Sequence, residues 1–406
     1  MAISSNDQPV QDTSYLQDYE YSIQLNRWLL KPIGVWPKLT DSTRTEKVLL
    51  KVLNIVCHSL IIFTFAPCLL FILFEETSMQ TRIKAIGPMS HWLMGELNYC
   101  FLSMRTKDIL HCIQHIENDW RMVKRASDRE LMLKNVKVGR LIACVAAICM
   151  NLGTCSYNVI TGFQKIVFHV GNESFSMYRL PCPFYTKLMN VRFSPVNELV
   201  FALQLLSGFI VNSVTVGACG LGAALAMHAC GQLNVMMSWL NDLVGTKGEE
   251  QKIVKKKLAN IVQLHLRTLS FVWNIEKIMN LICMVELVGC TLNICMLEYY
   301  LVTEKSKETL IIYAIIYASM IFNIFIFCYI GEKLTEQCKQ IGERAYMTEW
   351  YRLPHKTALG LVMIISRSSV VIKITAGKFI RISLATFGDV LKTSFTYFNM
   401  LRTVAT

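Results

Sequence analysis

The stretch Ile374–Leu401, ITAGKFIRISLATFGDVLKTSFTYFNML, decides how the rest of this sequence is interpreted. It is long enough to span a membrane, but it carries four charged residues, which are expensive in lipid. The charged residues are Lys378, Arg381, Asp389 and Lys392. The stretch is also too apolar for a solvated tail. A helix of this kind needs shielding from lipid, and a water-filled pore shared between subunits would provide it.

The rest of the chain reads as a membrane protein. Of its 406 residues, 53% are hydrophobic and 17% are charged, and the mean hydropathy is +0.38. A spanning helix needs about 20 mostly apolar residues. The qualifying runs are Val52–Phe74, Ile86–Met104, Leu141–Gly162, Leu199–Leu225, Ile278–Tyr300, Leu310–Ile330 and Ala376–Leu401. Because backbone groups in lipid must satisfy their own hydrogen bonds, we predict an all-α membrane protein with seven transmembrane helices.

The placement of charge predicts the topology. The formal net charge is +12, and basic residues concentrate in the loops after the second, fourth and sixth spans. The positive-inside rule then puts the N-terminus in the cytosol and the C-terminus outside the cell. Since the charge is explained by topology, we expect no nucleic-acid partner. The polar, acidic segment Met1–Glu20 does not resemble a cleavable signal peptide. The sequon at Asn172 falls in a loop predicted to be outside, which makes Asn172 a candidate glycosylation site.

We interpret the chain as one seven-helix subunit with four parts. These are a cytosolic N-terminal segment (1–47), helices one to six with their loops (48–330), a cytosolic anchor segment (331–375) and a pore-lining seventh helix with a short outer tail (376–406). Apolar residues recur at helical spacing before the fifth span and again in Glu332–Tyr351. These cytosolic connections are therefore predicted to be helical and to pack against each other or against a partner subunit.

Nothing in the sequence predicts an enzyme. Nucleophile-elbow, P-loop and dinucleotide-binding motifs are all missing from it. His111 and His115 have the i, i+4 spacing of a two-histidine metal site, but an ordinary cytosolic helix is the better interpretation. We therefore expect no cofactor and no metal. Charged residues inside spans can indicate proton-coupled transport; here they are Glu96, Glu286, Asp389 and Lys392. For Glu286, which can cap a polar patch between helices, and for Glu298, near a membrane face, we favour a structural role.

A ligand pocket is expected in the outer half of the bundle. Tyr313 and Tyr317 lie one helical turn apart in the sixth span, so both can project from one face. Further candidates at comparable depth are His91, Trp92, Met150, Tyr157, Phe201 and Gln204. Aromatic rings and methionine with a few hydrogen-bonding groups suit a small lipophilic ligand.

The seventh span predicts a pore face. Counting in fours along it places Lys392, Thr396, Met400 and Val404 on one side. Polar residues below an apolar pair at the outer mouth are typical of an ion pathway with a hydrophobic gate. The alternative for Lys392 is a buried salt bridge with Asp389 inside the bundle.

Three C-terminal segments resemble insect odorant receptors. They are YIGEKLTEQ (Tyr329–Gln337), AYMTEWYRLP (Ala345–Pro354) and the ITAGKF…LKTSFTYF…L ending (Ile374–Leu401). The segment LNRWLLKPIGVWP (Leu25–Pro37) is further similar to hymenopteran members. The chain lacks the coreceptor's long insertion between the fourth and fifth helices, so it most resembles a ligand-tuned subunit.

This resemblance implies an odorant-gated, non-selective cation channel in the plasma membrane of an olfactory sensory neuron dendrite. Such receptors assemble as heterotetramers with a shared coreceptor, Orco, around a pore lined by the seventh helices. The family's aliphatic gate falls on Met400 and Val404, and its outer pocket includes Tyr313 and Tyr317.

Two alternatives stay open at this point. A seven-helix G-protein-coupled chemoreceptor is opposed by the charge distribution and by the lack of DRY and NPxxY motifs. A gustatory receptor of the same superfamily would carry QF where this chain has Arg402-Thr403.

Overall fold

The computed structural model describes residues 14–37, 43–75, 78–163, 165–170, 173–244, 251–370 and 372–405. In these ranges the chain forms ten α-helices and two antiparallel hairpins. The helices are α1 (Ser14–Leu30), α2 (Arg44–Leu70), α3 (Met79–Met104), α4 (Thr106–Met122), α5 (Ala126–Phe163), α6 (Val196–Asn241), α7 (Gln251–Thr303), α8 (Lys307–Met347), α9 (His355–Ser369) and α10 (Leu384–Ala405). The strands are β1 (Lys165–Val170), β2 (Glu173–Tyr178), β3 (Thr375–Ala376) and β4 (Ile380–Arg381). A π-helical turn, Phe71–Glu75, extends α2, and a 3-10 turn, Trp350–Arg352, precedes α9.

Each of the seven predicted spans contains a helix: α2, α3, α5, α6, α7, α8 and α10 in chain order. Among the described residues, five of these helices are long and apolar enough to cross a membrane by length and composition: α2 with its π turn, α5, α6, α7 and α8. The remaining two, α3 and α10, are less apolar within the predicted span, where His91, Glu96 and Asn98 interrupt α3 and Asp389 and Lys392 interrupt α10. They are therefore the spans that depend most on protein neighbours for shielding.

Three spans continue far beyond the membrane. The 53 residues of α7 extend about 80 Å, against about 30 Å for the hydrocarbon core. The inner ends of α6, α7 and α8 pack with α1, α4 and α9 into one cytosolic bundle. This confirms the helical interpretation of the connection before the fifth span. The second connection, Glu332–Tyr351, is helical only to Met347.

Small residues in α6 allow its neighbours to approach closely. A β-carbon on Gly217 would lie 2.5 Å from Cδ2 of Leu30, and one on Gly220 would lie 2.7 Å from Oδ1 of Asn26. Both partners belong to α1. The glycines therefore let the N-terminal helix lie against the backbone of α6.

The seventh run differs from its prediction at its start, because α10 begins at Leu384 and not at Ala376. Residues 375–381 form the β3–β4 hairpin, in which Gly377 and Lys378 both have positive φ. The Phe379 amide donates to the carbonyl of Ala376 at 3.1 Å, which closes a type I′ turn. Two successive residues with positive φ cannot continue a helix, so Lys378 and Arg381 lie outside α10.

Two of the three C-terminal motifs, Tyr329–Gln337 and Ile374–Leu401, meet at one place. We call it the hairpin junction: Gly331, Glu332, the β3–β4 hairpin and the start of α10. Glu332 of α8 accepts from Nη2 of Arg381 at 3.2 Å and from the Leu384 amide at 3.4 Å. On the other side, the Thr375 amide donates to the Glu276 carboxylate of α7 at 2.9 Å. The junction thus fixes the position from which α10 enters the membrane.

Candidate functional site

A cavity of about 120 Å³ lies in the outer half of the bundle, between α3, α5, α6, α7 and α8. We call it the outer cavity. Aromatic and sulfur-containing side chains dominate its wall, and a few amides and hydroxyls interrupt them. Such a lining suits a small apolar molecule with one or two polar groups.

The structure brings five of the predicted pocket residues together around the outer cavity. They are His91 and Trp92 from α3, Met150 and Tyr157 from α5, and Tyr313 from α8. The Trp92 indole N–H donates to Oγ of Ser207 at 2.8 Å, and the Tyr157 hydroxyl donates to the carbonyl of Pro181 at 2.8 Å. These bonds restrict the positions of the two rings in the cavity wall.

Tyr317, Phe201 and Gln204 lie outside the outer cavity, against expectation. The Tyr317 hydroxyl instead donates to Oε1 of Glu298, on α7, at 3.1 Å. Phe201 stacks on Tyr178 with ring centroids 5.5 Å apart. Gln204 is fully buried, and its amide bonds both the amide and the carbonyl of Cys182, at 3.0 and 3.1 Å.

Asparagines on four helices, namely Asn158, Asn212, Asn293 and Asn323, supply a polar lining that was not predicted from the sequence. Nδ2 of Asn212 donates to Asn151 at 2.7 Å, and Asn293 accepts from the Ser90 hydroxyl at 2.9 Å. Asn323 donates from Nδ2 to Glu286 at 2.6 Å, and its Oδ1 is buried without a hydrogen-bond partner. Amides are costly against lipid, so their presence inside apolar spans was a usable signal.

Glu286 links this lining to the neighbouring helices. Its carboxylate is fully buried and accepts from Nδ2 of Asn98 and from Nδ2 of Asn323, each at 2.6 Å. Three helices, α3, α7 and α8, therefore meet at one carboxylate beneath the outer cavity. This is the structural polar patch that the sequence predicts for Glu286.

On α10, the predicted pore residues share an unpacked surface. Lys392 and Thr396 are exposed, and Met400 is 66% exposed. The side chain of Val404 lies outside the described residues. The opposite face, with Val390 and Phe398, is buried against α7 and α8. Within the described chain, Asp389 and Lys392 are both exposed and no ion pair joins them, so the buried salt bridge is wrong.

A second buried polar group, which we call the Asp119 cluster, lies in the cytosolic bundle. Asp119 of α4 accepts from Nε of Arg267 at 2.6 Å, from Nε2 of His228 at 3.0 Å and from the Gln232 amide. His115 stacks on Phe271, and burial lowers its pKa to about 4, so its ring is neutral. The cluster ties α4 to α6 and α7.

The predicted glycosylation site, Asn172, lies outside the described residues, between β1 and β2. His111 and His115 do not converge on a common point. Nδ1 of His111 lies 3.5 Å from Nδ2 of Asn274, whereas Nε2 of His115 lies 3.3 Å from Asp119.

The fold and the outer cavity define a class of protein: a seven-helix membrane protein with a mainly apolar cavity in the outer half of its bundle. The family model described as 7tm Odorant receptor matches residues 78–395. The chain therefore belongs to the seven-transmembrane odorant receptor family of insects. It is a multi-pass membrane receptor and not an enzyme.

Similar proteins agree with this assignment. Odorant receptor 10 of Aedes albopictus is 24% identical over 52% of this chain and 56% of its own length. Putative odorant receptor 92a of Drosophila melanogaster is 28% identical over 40% of each chain. The matches thus span about half the length of these relatives. The olfactory receptor OR5 of Machilis hrabei, solved in complex with eugenol, superposes with a TM-score of 0.80 at 14% identity, over 96% of this chain and 100% of that one. That likeness confirms the seven-helix membrane fold.

Proposed function

We propose that this chain is an odorant-gated cation channel subunit that acts with the coreceptor Orco in a heterotetramer. The observation that carries the proposal is the outer cavity, which lies between five helices and is lined mainly by apolar and aromatic side chains. A small volatile molecule is the ligand that such a site fits. In this proposal the chain works in the plasma membrane of an olfactory sensory neuron dendrite.

Contacts between the cavity wall and α10 support coupling from ligand to pore. Tyr300 and Met296 of α7 line the outer cavity, and both belong to a buried apolar cluster that includes Phe398 of α10. The rings of Tyr300 and Tyr313 are 5.3 Å apart. A ligand that moves these rings changes the surface on which α10 packs. It opens the channel if it binds the open arrangement more tightly than the closed one.

The pore in this proposal is formed by the exposed face of α10. Lys392 and Thr396 would face water, and Met400 with Val404 would form the gate near the outer mouth. An apolar constriction blocks ions by excluding water and conducts once it widens. Cations would then pass along the polar stretch of the same face.

The chemistry of Asn323 narrows the ligand class. Its Nδ2 is committed to the Glu286 carboxylate at 2.6 Å, which fixes the orientation of the amide and leaves Oδ1 as an acceptor. An unpaired buried acceptor costs about 1–3 kcal/mol. A ligand with a hydroxyl group would satisfy it, so we expect alcohols or phenols to activate better than the matching methyl ethers.

Cells that express this chain together with Orco should give inward currents to members of a panel of alcohol and ether volatiles. Tyr313→Ala should raise the half-maximal concentration about tenfold, because it removes an aromatic wall from the ligand site. Whole-cell dose–response curves measure this shift.

Tyr317→Ala is the matched control, since Tyr317 lies one turn away on the same helix but outside the outer cavity. The half-maximal ligand concentration of the Tyr317→Ala variant should shift by less than that of the Tyr313→Ala variant. Equal curves for both variants, or no current despite surface expression, would count against the proposal.

Lys392→Gln should increase the permeability to Ca²⁺ relative to Na⁺. A unit charge about 4 Å away repels a monovalent cation by about 1 kcal/mol in water. Ca²⁺ carries one more charge than Na⁺ and is repelled by about 1 kcal/mol more, so removing the charge should raise the Ca²⁺/Na⁺ permeability ratio about fivefold. Reversal potentials under bi-ionic conditions measure the ratio. Lys307→Gln, at an exposed lysine at the start of α8, is the control. An unchanged ratio in the Lys392 variant would remove Lys392 from the pore.

A further inference from the structure

Three side chains with metal-binding atoms converge between α2 and α3. Nδ1 of His58 lies 2.7 Å from Oε1 of Glu96, and Sγ of Cys100 lies 3.7 Å from the same oxygen. The three potential ligand atoms all lie within 4.8 Å of one another. Glu96 and Cys100 are one turn apart on α3, so they share a face, and His58 meets them from α2.

The cluster lies towards the cytosolic side of the bundle. Cys100 is four residues from the end of α3 at Met104, which is about 6 Å along the helix. The side chains of His58 and Glu96 are 24% and 17% exposed. The two side chains are therefore partly buried, and the cluster lies near the inner end of α3.

The protein alone leaves this site incompletely satisfied. Oε1 of Glu96 has His58 and Cys100 as neighbours, but Oε2 is buried without a hydrogen-bond partner. A carboxylate within a span needs a compensating charge. A divalent cation bound by the Glu96 carboxylate, the Cys100 thiolate and a neutral His58 would give a centre with no net charge.

The surroundings of His58 favour a defined ligand geometry. Its ring packs on Tyr99 with centroids 4.3 Å apart. The Tyr99 hydroxyl donates to the carbonyl of Ile33 at 2.6 Å and accepts from Nδ2 of Asn54 at 3.1 Å. A ligand held by such a bonded neighbour keeps its orientation, which is how proteins support metal ligands.

We propose that His58, Glu96 and Cys100 form a binding site for a divalent transition metal of the zinc class. Mixed nitrogen, oxygen and sulfur ligands select zinc over calcium or magnesium. Zinc ligands at about 2.0–2.3 Å from the metal are about 3.5 Å apart in a tetrahedron, so the His58–Glu96 contact opens slightly on binding. On binding, the Cys100 thiol releases its proton to solvent, His58 coordinates as the neutral imidazole, and a water molecule fills the fourth position. The bound ion joins the first and second transmembrane helices.

The test is cobalt titration of the purified full chain, with Co²⁺ as the spectroscopic substitute for zinc. The wild type should bind one Co²⁺ per chain and show a thiolate-to-cobalt charge-transfer band that Zn²⁺ abolishes. Cys100→Ser should remove the band, and His58→Gln should weaken Co²⁺ binding about 100-fold. Cys144→Ser, at an exposed thiol on α5, should leave the charge-transfer band and the Co²⁺ affinity unchanged.

A second readout does not depend on the variants folding normally. Zn²⁺ should raise the melting temperature of the wild-type protein, and a chelator should reverse the increase. The proposal is overturned if the wild type shows no thiolate band at stoichiometric Co²⁺. It is equally overturned if the Cys100→Ser protein keeps the band.

Discussion

Asp119→Asn should destabilise the receptor by about 3 kcal/mol, the cost of leaving one member of a buried ion pair without its partner. Arg267 would lose its counter-charge, and the new amide would place donors against those of His228 and Gln232. Because Arg267 is 29% exposed, the effect should fall at the low end of the range for buried pairs. The measurement is the melting temperature of detergent-solubilised protein, followed by size-exclusion chromatography after heating.

Asp108→Asn is the control from the same helix. Asp108 also pairs with α7, through Lys277 at 2.7 Å, but the two side chains are 22% and 38% exposed. Partly exposed ion pairs contribute about 1 kcal/mol or less. The melting temperature should therefore fall much less than in the Asp119 variant. Similar decreases in both would show that the Asp119 cluster does not hold α4 in place.

The seven helices were predictable because an apolar run in lipid has few ways to satisfy its backbone. The ends of the helices were not predictable in the same way. Beyond the apolar runs, α6, α7 and α8 stay helical because their side chains pack within the cytosolic bundle and not because lipid surrounds them. The start of the seventh helix was predicted too early, at Ala376, because the prediction followed the apolar composition of the segment and not its turn-forming residues. Gly377 and Lys378 form a left-handed turn inside a segment whose composition indicates a helix.

The position of the outer cavity in the outer half of the bundle was predictable, but the full set of residues that line it was not. Tyr313 and Tyr317 look equivalent from spacing, yet the helix is packed so that only Tyr313 reaches the cavity. Gln204 was misassigned because its amide is used by the backbone of Cys182, a contact with a loop that no periodicity reports. The asparagines were the better signal, because a buried amide in a span always needs a partner.

Contacts between residues that are far apart in the sequence could not be predicted. His58 and Glu96 meet across two helices, as do Glu276 of α7 and Thr375 before α10. No spacing rule links such pairs, because their distance depends on how the helices pack. The hairpin junction is of the same kind, although each of its parts belongs to a motif that stands out in the sequence.

Gly331→Ala should disrupt the hairpin junction. A β-carbon at this position would lie 2.6 Å from the carbonyl oxygen of Ile382 and 2.9 Å from its Cγ2. Backbone atoms cannot move aside as a flexible side chain can, so β4 and the start of α10 must shift. Overpacking of this kind costs about 1–3 kcal/mol, which exceeds the gain of about 1 kcal/mol from replacing a helical glycine by alanine. The melting temperature should fall.

Gly388→Ala separates the contact from the general effect of removing a glycine. Gly388 lies within α10, and a β-carbon there would meet nothing within 4 Å in this chain, so its helix should become slightly more stable. A lower melting temperature for Gly331→Ala together with an equal or higher one for Gly388→Ala identifies the Ile382 contact as the cause. If the Gly331 variant melts like the wild type, the close approach of α8 to Ile382 does not fix the start of α10. The position of the proposed pore helix would then have to depend on Glu332 and Glu276 alone, since these carboxylates hold the hairpin from its two sides.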